Sequence, residues 1–142
     1  MHTTYISLGT NLGNRTANMI CALLQIQSRI GQIIALSDFI ITEPWGFDSA
    51  NRFMNAAVAV STPLSPFQLL DVTQSIERDM GRTVKSSGGV YHDRIIDIDI
   101  LLYDDAHIST PRLTIPHPLM KEREFVMKPL RQIASLDFIK NI

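Results

Sequence analysis

The chain has 142 residues, of which 45% are hydrophobic and 19% charged, and its formal net charge is −1. This composition is typical of a folded domain rather than a disordered segment, and the small net charge argues against general binding to nucleic acid or to membrane surfaces. The sequence has no apolar run of about 18 residues that could span a membrane, and its N-terminus lacks a signal-peptide pattern. We therefore expect one cytoplasmic domain over residues 1–142, without a membrane or nucleic-acid partner.

The first half of the chain is predicted to contain three strands and one helix. Residues 4–8 form a short strand, and apolar side chains at helical spacing predict a helix over 15–30. Residues 32–41 are rich in β-forming side chains, and residues 53–61 place apolar side chains on one face of a strand. Cys21 lies in the helix and is the single cysteine. It cannot form an internal disulfide, which favours a reducing compartment, and we expect it to be a small core residue.

The second half begins with a helix whose start is well marked. Ser65 can cap the helix, Pro66 suits the first helical position, and Gln68 can complete a capping box. A long loop follows over residues 82–94, then a strand, then an irregular tail with a short helix near 127–134. The order β-α-β-β-α-β predicts an α+β, ferredoxin-like fold, in which an antiparallel sheet carries helices on one face.

The last strand of this pattern contains two carboxylates in an apolar run. Asp97 and Asp99 are two residues apart, so their side chains share one face and their Cα atoms are roughly 6.5 Å apart. The opposite face is expected to be apolar and to consist of Ile96, Ile98, Ile100 and Leu102. Two like charges need neutralisation, and hard oxygen ligands of this kind suit Mg²⁺, which commonly accompanies phosphates. An exposed strand face, or pairing with a nearby arginine, is the alternative interpretation.

Basic side chains cluster on either side of this strand. Four of them fall within seventeen positions before it, namely Arg78, Arg82, Lys85 and Arg94. Further donors follow it, namely Arg112, His117, Lys121 and Arg123. Guanidinium and ammonium groups are the usual partners of phosphate oxygens, and a 13-residue loop is long enough to act as a lid. A solvated loop with scattered charge would show the same pattern.

Aromatic and amide side chains suggest a second, neutral ligand. A flat heterocycle could stack on the rings of Trp45, Phe53 and Phe125. The Asn55 amide could bond to the edge of such a ring, although core packing would explain each aromatic residue singly. Gln74 and Glu77 share one face of the second helix, where each taken alone would be an ordinary surface residue.

Together these segments resemble the 6-hydroxymethyl-7,8-dihydropterin pyrophosphokinase (HPPK) family over residues 5 to about 134. The resemblance is carried by segments in the family order: Leu8-Gly9-Thr10-Asn11-Leu12-Gly13, Thr42-Glu43-Pro44-Trp45-Gly46, Phe53-Met54-Asn55-Ala56-Ala57, Gln74-Ser75-Ile76-Glu77, Gly81-Arg82, Arg94-Ile95-Ile96-Asp97-Ile98-Asp99-Ile100-Leu101, and Pro116-His117-Pro118 through Arg123 and Phe125. The Arg-x-x-Asp-x-Asp segment is the most specific of them. The segment Tyr91-His92-Asp93 departs from the family pattern just before Arg94.

The resemblance implies transfer of a diphosphoryl group from ATP to the hydroxymethyl oxygen of the reduced pterin, with release of AMP, in folate biosynthesis. It implies two Mg²⁺ ions on Asp97 and Asp99, and a catalytic set formed by these two residues with Arg82, Lys85 and Arg94. The implied nucleotide-binding set is Gln74, Glu77, Arg94, Ile100, Arg112, Thr114, His117 and Arg123. The implied pterin-binding set is Thr42, Pro44, Trp45, Phe53, Asn55 and Phe125. We expect a monomer whose partners are ATP and the pterin.

Two other classes of protein remain open from the sequence. A non-catalytic ferredoxin-like module that binds a nucleotide or a regulatory ligand would need neither Asp97 nor Asp99. A nucleic-acid-binding ferredoxin-like domain would present a basic sheet face with exposed aromatic side chains. The net charge and the two strand carboxylates speak against that second alternative.

Overall fold

An antiparallel sheet centred on the first strand organises the molecule. The structure is a computed structural model and describes residues 1–43, 52–81 and 95–140. In chain order its elements are β1 (His2–Thr10), α1 (Arg15–Arg29), β2 (Gln32–Leu36), β3 (Ile40–Thr42), β4 (Phe53–Thr62), α2 (Pro66–Asp79), β5 (Asp97–Tyr103), β6 (Ile108–Ser109), β7 (Thr114–Ile115), a 3₁₀ turn (Met120–Glu122), α3 (Glu124–Ile133) and α4 (Leu136–Lys140).

The sheet order is β2-β4-β1-β5, with β3 also paired to β4. All the pairings in this sheet are antiparallel. Two helices connect its strands, and the connections place the first and last strands of the pattern side by side. The ferredoxin-like α+β fold expected from the element order is therefore confirmed.

The two long helices begin as their sequences predict. The Asn14 side chain caps α1 by accepting from the Ala17 N–H at 3.0 Å. At α2 the Gln68 N–H donates to Ser65 Oγ, and the Ser65 N–H donates back to Gln68 Oε1 at 2.9 Å. This reciprocal pair is the predicted capping box, and it satisfies backbone donors that have no partner within the helix.

Helices cover both faces of the sheet, which corrects the expectation of helices on one face only. Helices α1 and α2 bury Met19, Ile26, Leu69 and Ile76 against the alternate side chains of β1 and β4. Helix α3 packs on the other face, where its apolar side chains form a second cluster with Leu101, Leu102 and Met120. The tail also holds the small β6–β7 hairpin, and α3 begins earlier than the predicted helix over 127–134.

Two expectations about single residues were wrong. Cys21 is exposed rather than in the core, because the buried stripe of α1 runs through Met19, Ala22 and Ile26 and leaves residue 21 on the outer side. Leu102 packs in the second cluster, away from Ile98 and Ile100. A bulge causes this difference: β1 residues 5 and 6 pair with β5 residues 102 and 100, so one extra residue shifts the alternation.

The segment 32–41 forms two strands rather than one. Ser37 interrupts it: its N–H donates to the Ala57 carbonyl at 2.9 Å, and its Oγ accepts from the Ala57 N–H at 2.8 Å. A side chain thus takes the place of a backbone carbonyl, and the ladder stops until Ile40. In the described ranges, no helix is long and apolar enough to cross a bilayer.

Candidate active site

The predicted pair of carboxylates lies on β5, next to the central strand. Asp97 pairs with Gly9 and Asp99 with Ser7 across the β1–β5 ladder. Both aspartates are half-buried, whereas Ile98 and Ile100 are each only 5% exposed on the opposite face. The strand alternation therefore points the two carboxylates to one side, as the sequence predicts.

The electrostatic environment of this pair is negative and favours the binding of a positive charge. The pKa of the Asp99 carboxyl is raised well above its usual value, first by burial, then by the negative charges of Asp97 and Glu77 and by a hydrogen bond with Asp97. Arg123 acts in the opposite direction and lowers it. A proton or a cation would relieve the repulsion among these carboxylates.

The two carboxylates fit a divalent cation that takes some of its ligands from the protein and the others from a substrate or water. Within residues 1–43, 52–81 and 95–140, no group of three or more His, Cys, Asp or Glu side chains is arranged to hold a metal by itself. Asp97 and Asp99 would supply two oxygens, and the remaining positions would be filled from outside the protein. Mg²⁺ binds in this way, since it usually takes one or two carboxylates together with waters and phosphate oxygens.

Glu77 is buried, in contrast to the surface position that its helix face suggests. Its side chain is only 3% exposed, and its Oε2 accepts a hydrogen bond from the Ile98 N–H at 2.9 Å. Ile98 is the residue between the two aspartates. Sequence reasoning missed this contact, because the i, i+3 spacing on α2 contains no information about the strand beside it.

Basic groups lie beside the carboxylates, on the segment that follows the β6–β7 hairpin. The His117 N–H donates to the Leu101 carbonyl at 3.0 Å, which ties this segment to β5. Burial and the charge of Arg123 lower the pKa of His117, and the charge of Asp97 acts against them. Arg123 is 7% exposed and its guanidinium lies 5.8 Å from the Phe125 ring centre. The charge of Arg123 therefore acts on both Asp99 and His117, and the charge of Asp97 acts on His117.

Other members of the expected nucleotide set lie apart from this centre or contribute differently. Arg112 is exposed and donates to Asp71 Oδ1 at 2.7 Å, so it is tied to the outer side of α2. Thr114 is half-buried in β7, and Gln74 is half-buried on α2. The Ile100 side chain packs in the core beneath the sheet, so a nucleotide would meet only its backbone.

Three residues of the expected pterin set meet at the junction of β3 and β4. Thr42 pairs with Phe53, and Asn55 Nδ2 donates to Thr42 Oγ1 at 2.7 Å. Asn55 is 3% exposed, and Phe53 is half-buried next to it on the same face. The fixed Asn55 amide and the aromatic ring form the edge-and-face arrangement that a heterocycle needs.

Gly9 separates this group from the aspartates, and its role was missed by sequence reasoning. It pairs with Asn55 on one side and with Asp97 on the other. With strands about 4.8 Å apart, the backbones of Asn55 and Asp97 are therefore about 10 Å apart across Gly9. A Cβ at position 9 would lie 2.9 Å from Asn55 Oδ1 and 3.6 Å from Phe53 Cδ1. The available signal was a glycine inside a strand, which often marks a close approach to the backbone.

The remaining predicted residues cannot be placed. Pro44, Trp45, Arg82, Lys85 and Arg94 lie outside the described residues, and so does the segment Tyr91-His92-Asp93. Phe125 is described: it is half-buried at the start of α3, beside the second apolar cluster.

Paired aspartates beside cationic groups, next to a fixed amide and an aromatic ring, are features expected of an enzyme that acts on a phosphate-bearing substrate. Comparison with known proteins identifies the family of enzymes to which the chain belongs. Residues 5–135 match the family described as 7,8-dihydro-6-hydroxymethylpterin-pyrophosphokinase (HPPK), and the chain belongs to this family. HPPK enzymes transfer a diphosphoryl group from ATP to hydroxymethyldihydropterin in folate synthesis, as the sequence predicts.

Two bacterial relatives illustrate the match, and both are named 2-amino-4-hydroxy-6-hydroxymethyldihydropteridine pyrophosphokinase. The relative from Porphyromonas gingivalis is 50% identical over 135 residues, which are 94% of this chain and 92% of the relative. The relative from Bacillus subtilis is 38% identical over 132 residues, which are 92% of this chain and 77% of the relative.

Solved structures support the fold independently. A crystal structure of an HPPK-DHPS protein in complex with substrates superposes with a TM-score of 0.75 at 15% identity, over 93% of this chain and 40% of that one. Plasmodium falciparum HPPK-DHPS carrying the triple mutation S436F/A437G/A613T gives a TM-score of 0.74 at 18% identity, over 93% and 39%. The chain thus spans about two fifths of these longer proteins, and at this identity the likeness concerns the fold.

Proposed function

We propose that Asp97 and Asp99 hold two Mg²⁺ ions and that the diphosphoryl transfer of this HPPK chain depends on them. The observation that carries the proposal is the half-buried aspartate pair beside Arg123 and His117, where burial and then the negative charges of Asp97 and Glu77 raise the pKa of Asp99. Bound Mg²⁺ would neutralise the phosphate oxygens of ATP and lower the pKa of the pterin hydroxyl.

The protein side chains would position two substrates on either side of Gly9. Asn55, Thr42 and Phe53 would fix the pterin, with Phe125 as the second ring of a sandwich around it. Arg123 and His117 would donate to phosphate oxygens and stabilise the charge that develops as AMP leaves. Phosphoryl transfer needs chiefly such positioning and charge neutralisation, so we propose no dedicated general base.

The rest of the site follows the family pattern. We assign Arg82, Lys85 and Arg94 to the catalytic loop, with Pro44 and Trp45 in the pterin pocket. Nucleotide contacts are assigned to Gln74, Arg94, the Ile100 backbone, Arg112, Thr114, His117 and Arg123, whereas Glu77 is buried against the backbone of Ile98.

The proposal is tested by incubating the protein with ATP, 6-hydroxymethyl-7,8-dihydropterin and Mg²⁺ and measuring AMP. We expect AMP only when the pterin and the metal are both present, and loss of activity with a chelator that excess Mg²⁺ restores. Asp97→Asn and Asp99→Asn should each lower kcat/KM by more than about 100-fold, since losing even an indirect partner of a metal ligand costs about 10–100-fold.

The matched control is Asp105→Asn. Asp105 is an exposed carboxylate just beyond the end of β5, so its removal should leave the rate unchanged. Metal-independent AMP formation, or full activity of the folded Asp97→Asn and Asp99→Asn proteins, would contradict the metal assignment.

A further inference from the structure

We propose that Glu77 is a positioning residue, which anchors the β5 backbone between Asp97 and Asp99 and so fixes the spacing and direction of both carboxylates. The inference rests on the proposed role of those aspartates as metal ligands. It assigns to Glu77 a different task from the nucleotide contact that the family resemblance implies.

The position of β5 in the sheet explains why an anchor is needed. Among the described strands β5 is the last of the order β2-β4-β1-β5, so β1 supports it from one side. Alternate backbone groups of an edge strand point away from its neighbour and need another partner. The Ile98 N–H is such a group, since it donates to Glu77 Oε2 on α2 at 2.9 Å.

The burial of Glu77 shows that this contact is built into the fold. The side chain is 3% exposed and lies on α2 next to Ile76, which is fully buried, and one turn after Thr73, which is also fully buried. Burying a carboxylate is costly unless it is hydrogen-bonded, and the negative charge of Glu77 also acts on Asp99. An apolar side chain would avoid both costs but would leave the Ile98 N–H without this acceptor.

The anchored peptide group connects the two carboxylates. A displacement of Ile98 would move the Cα atoms of both neighbours, Asp97 and Asp99, in the same direction. Misplacing a reacting group by about 1 Å can cost about 100-fold in rate. Loss of the Glu77 contact should therefore reduce activity without removing any group that touches substrate or metal.

The experiment compares Glu77→Ala, which removes the acceptor, with Glu77→Gln, which retains an acceptor oxygen of nearly the same shape. Thr4→Val is the matched control, because Thr4 is fully buried and its Oγ1 donates to the Leu102 carbonyl at 2.7 Å. The control thus removes a buried hydrogen bond to the other end of the same strand, away from the aspartates.

We expect Glu77→Ala to lower kcat about 10–100-fold and to raise the Mg²⁺ concentration needed for half-maximal rate. Glu77→Gln should recover most of this loss, whereas Thr4→Val should lose thermal stability with little change in kcat. The second readout is the ¹H chemical shift and exchange protection of the Ile98 amide in the protein without ATP or metal. Both should fall in Glu77→Ala and be largely retained in Glu77→Gln.

Three results would overturn the proposal. A rise in the KM for ATP alone, equal in both Glu77 variants, would identify a nucleotide contact instead. If Thr4→Val lost as much kcat as Glu77→Ala, the effect of Glu77 would be explained by the general stability of β5. An unchanged Ile98 amide in Glu77→Ala would show that the contact does not exist in solution. If the metal assignment itself fails, Asp97→Asn and Asp99→Asn remain active, while the Ile98 amide still reports on Glu77 independently.

Discussion

Asp99 shows, at the scale of single residues, how the site opposes stability. Because its pKa is raised in the folded protein, the folded state holds a proton on Asp99 more tightly than the unfolded chain does. Its favourable contribution is therefore fully present below the unfolded pKa of about 3.9 and is lost as the pH rises through the folded pKa. At neutral pH the metal-free protein carries the cost of an ionised Asp99.

Asp99→Asn should therefore raise the melting temperature of the metal-free protein at pH 7 while it removes activity. A gain on the order of 1 kcal/mol corresponds to about 4 °C for a domain of this size. The measurement is thermal unfolding in a chelator at pH 7 and at pH 4, where the difference from wild type should shrink. A variant that is less stable than wild type at pH 7 would contradict the prediction, and Asp105→Asn serves again as the control.

The sequence could predict the placement of some residues of the site but not of others. The shared face of Asp97 and Asp99 follows from strand alternation alone, and so does the apolar face beneath Ile98. The burial of Glu77 could not be predicted, because it depends on the backbone of a strand that begins twenty residues later in the chain. The same limitation applies to Gly9, whose position between Asn55 and Asp97 requires the pairing of three strands.

Helix α2 is the element that links local sequence to the site, since its start is set by Ser65 and Gln68 and its end carries Glu77. Ser65→Ala removes one half of the capping box. We expect it to lower the free energy of unfolding by about 1 kcal/mol, the usual effect of losing an N-cap side chain. Urea unfolding followed by circular dichroism measures this change.

The control for the cap is Ser28→Ala, which changes an exposed serine on α1. It should alter stability by no more than about 0.5 kcal/mol, as is usual for surface positions. Equal effects of the two substitutions would mean that the Ser65 cap contributes nothing specific to α2.

Element boundaries were predicted well where a local signal exists and poorly where it does not. The start of α2 was predicted from Ser65, whose side chain acts on its own helix, and the start of α1 from the helical spacing of its apolar side chains. The break at Ser37 and the bulge near Leu101 depend on partners in other strands, so neither can be predicted from the neighbouring residues in sequence.

At the scale of the whole molecule, we propose a single domain that acts as a monomer, with ATP and the pterin as its partners. Apolar side chains remain exposed on the flank of α1 and on the neighbouring edge strands, namely Ile20, Leu24, Ile34, Leu36 and Ile41. Exposed apolar residues of this kind are ordinary on monomeric proteins. The low net charge would not by itself keep two copies apart.

Sedimentation equilibrium over a range of protein concentrations tests the monomer, and the expected result is the mass of one chain throughout. A mass that rises towards twice that value would contradict the prediction. In that case Leu24→Lys, which places a charge on the exposed flank of α1, would show whether this flank forms the contact.

By itself, the sequence determined the order of the main strands and helices, the cap of α2, the paired carboxylates and membership of the HPPK family. Each of these depends on neighbouring residues or on short motifs, whose physical effects act within a few positions of the chain. The tertiary structure alone decided that Gly9 lies between Asn55 and Asp97, that Glu77 is buried against Ile98, and that α3 covers the second face. Those features arise from packing between segments that are distant in sequence. A local sequence pattern does not indicate which distant segment will pack against it.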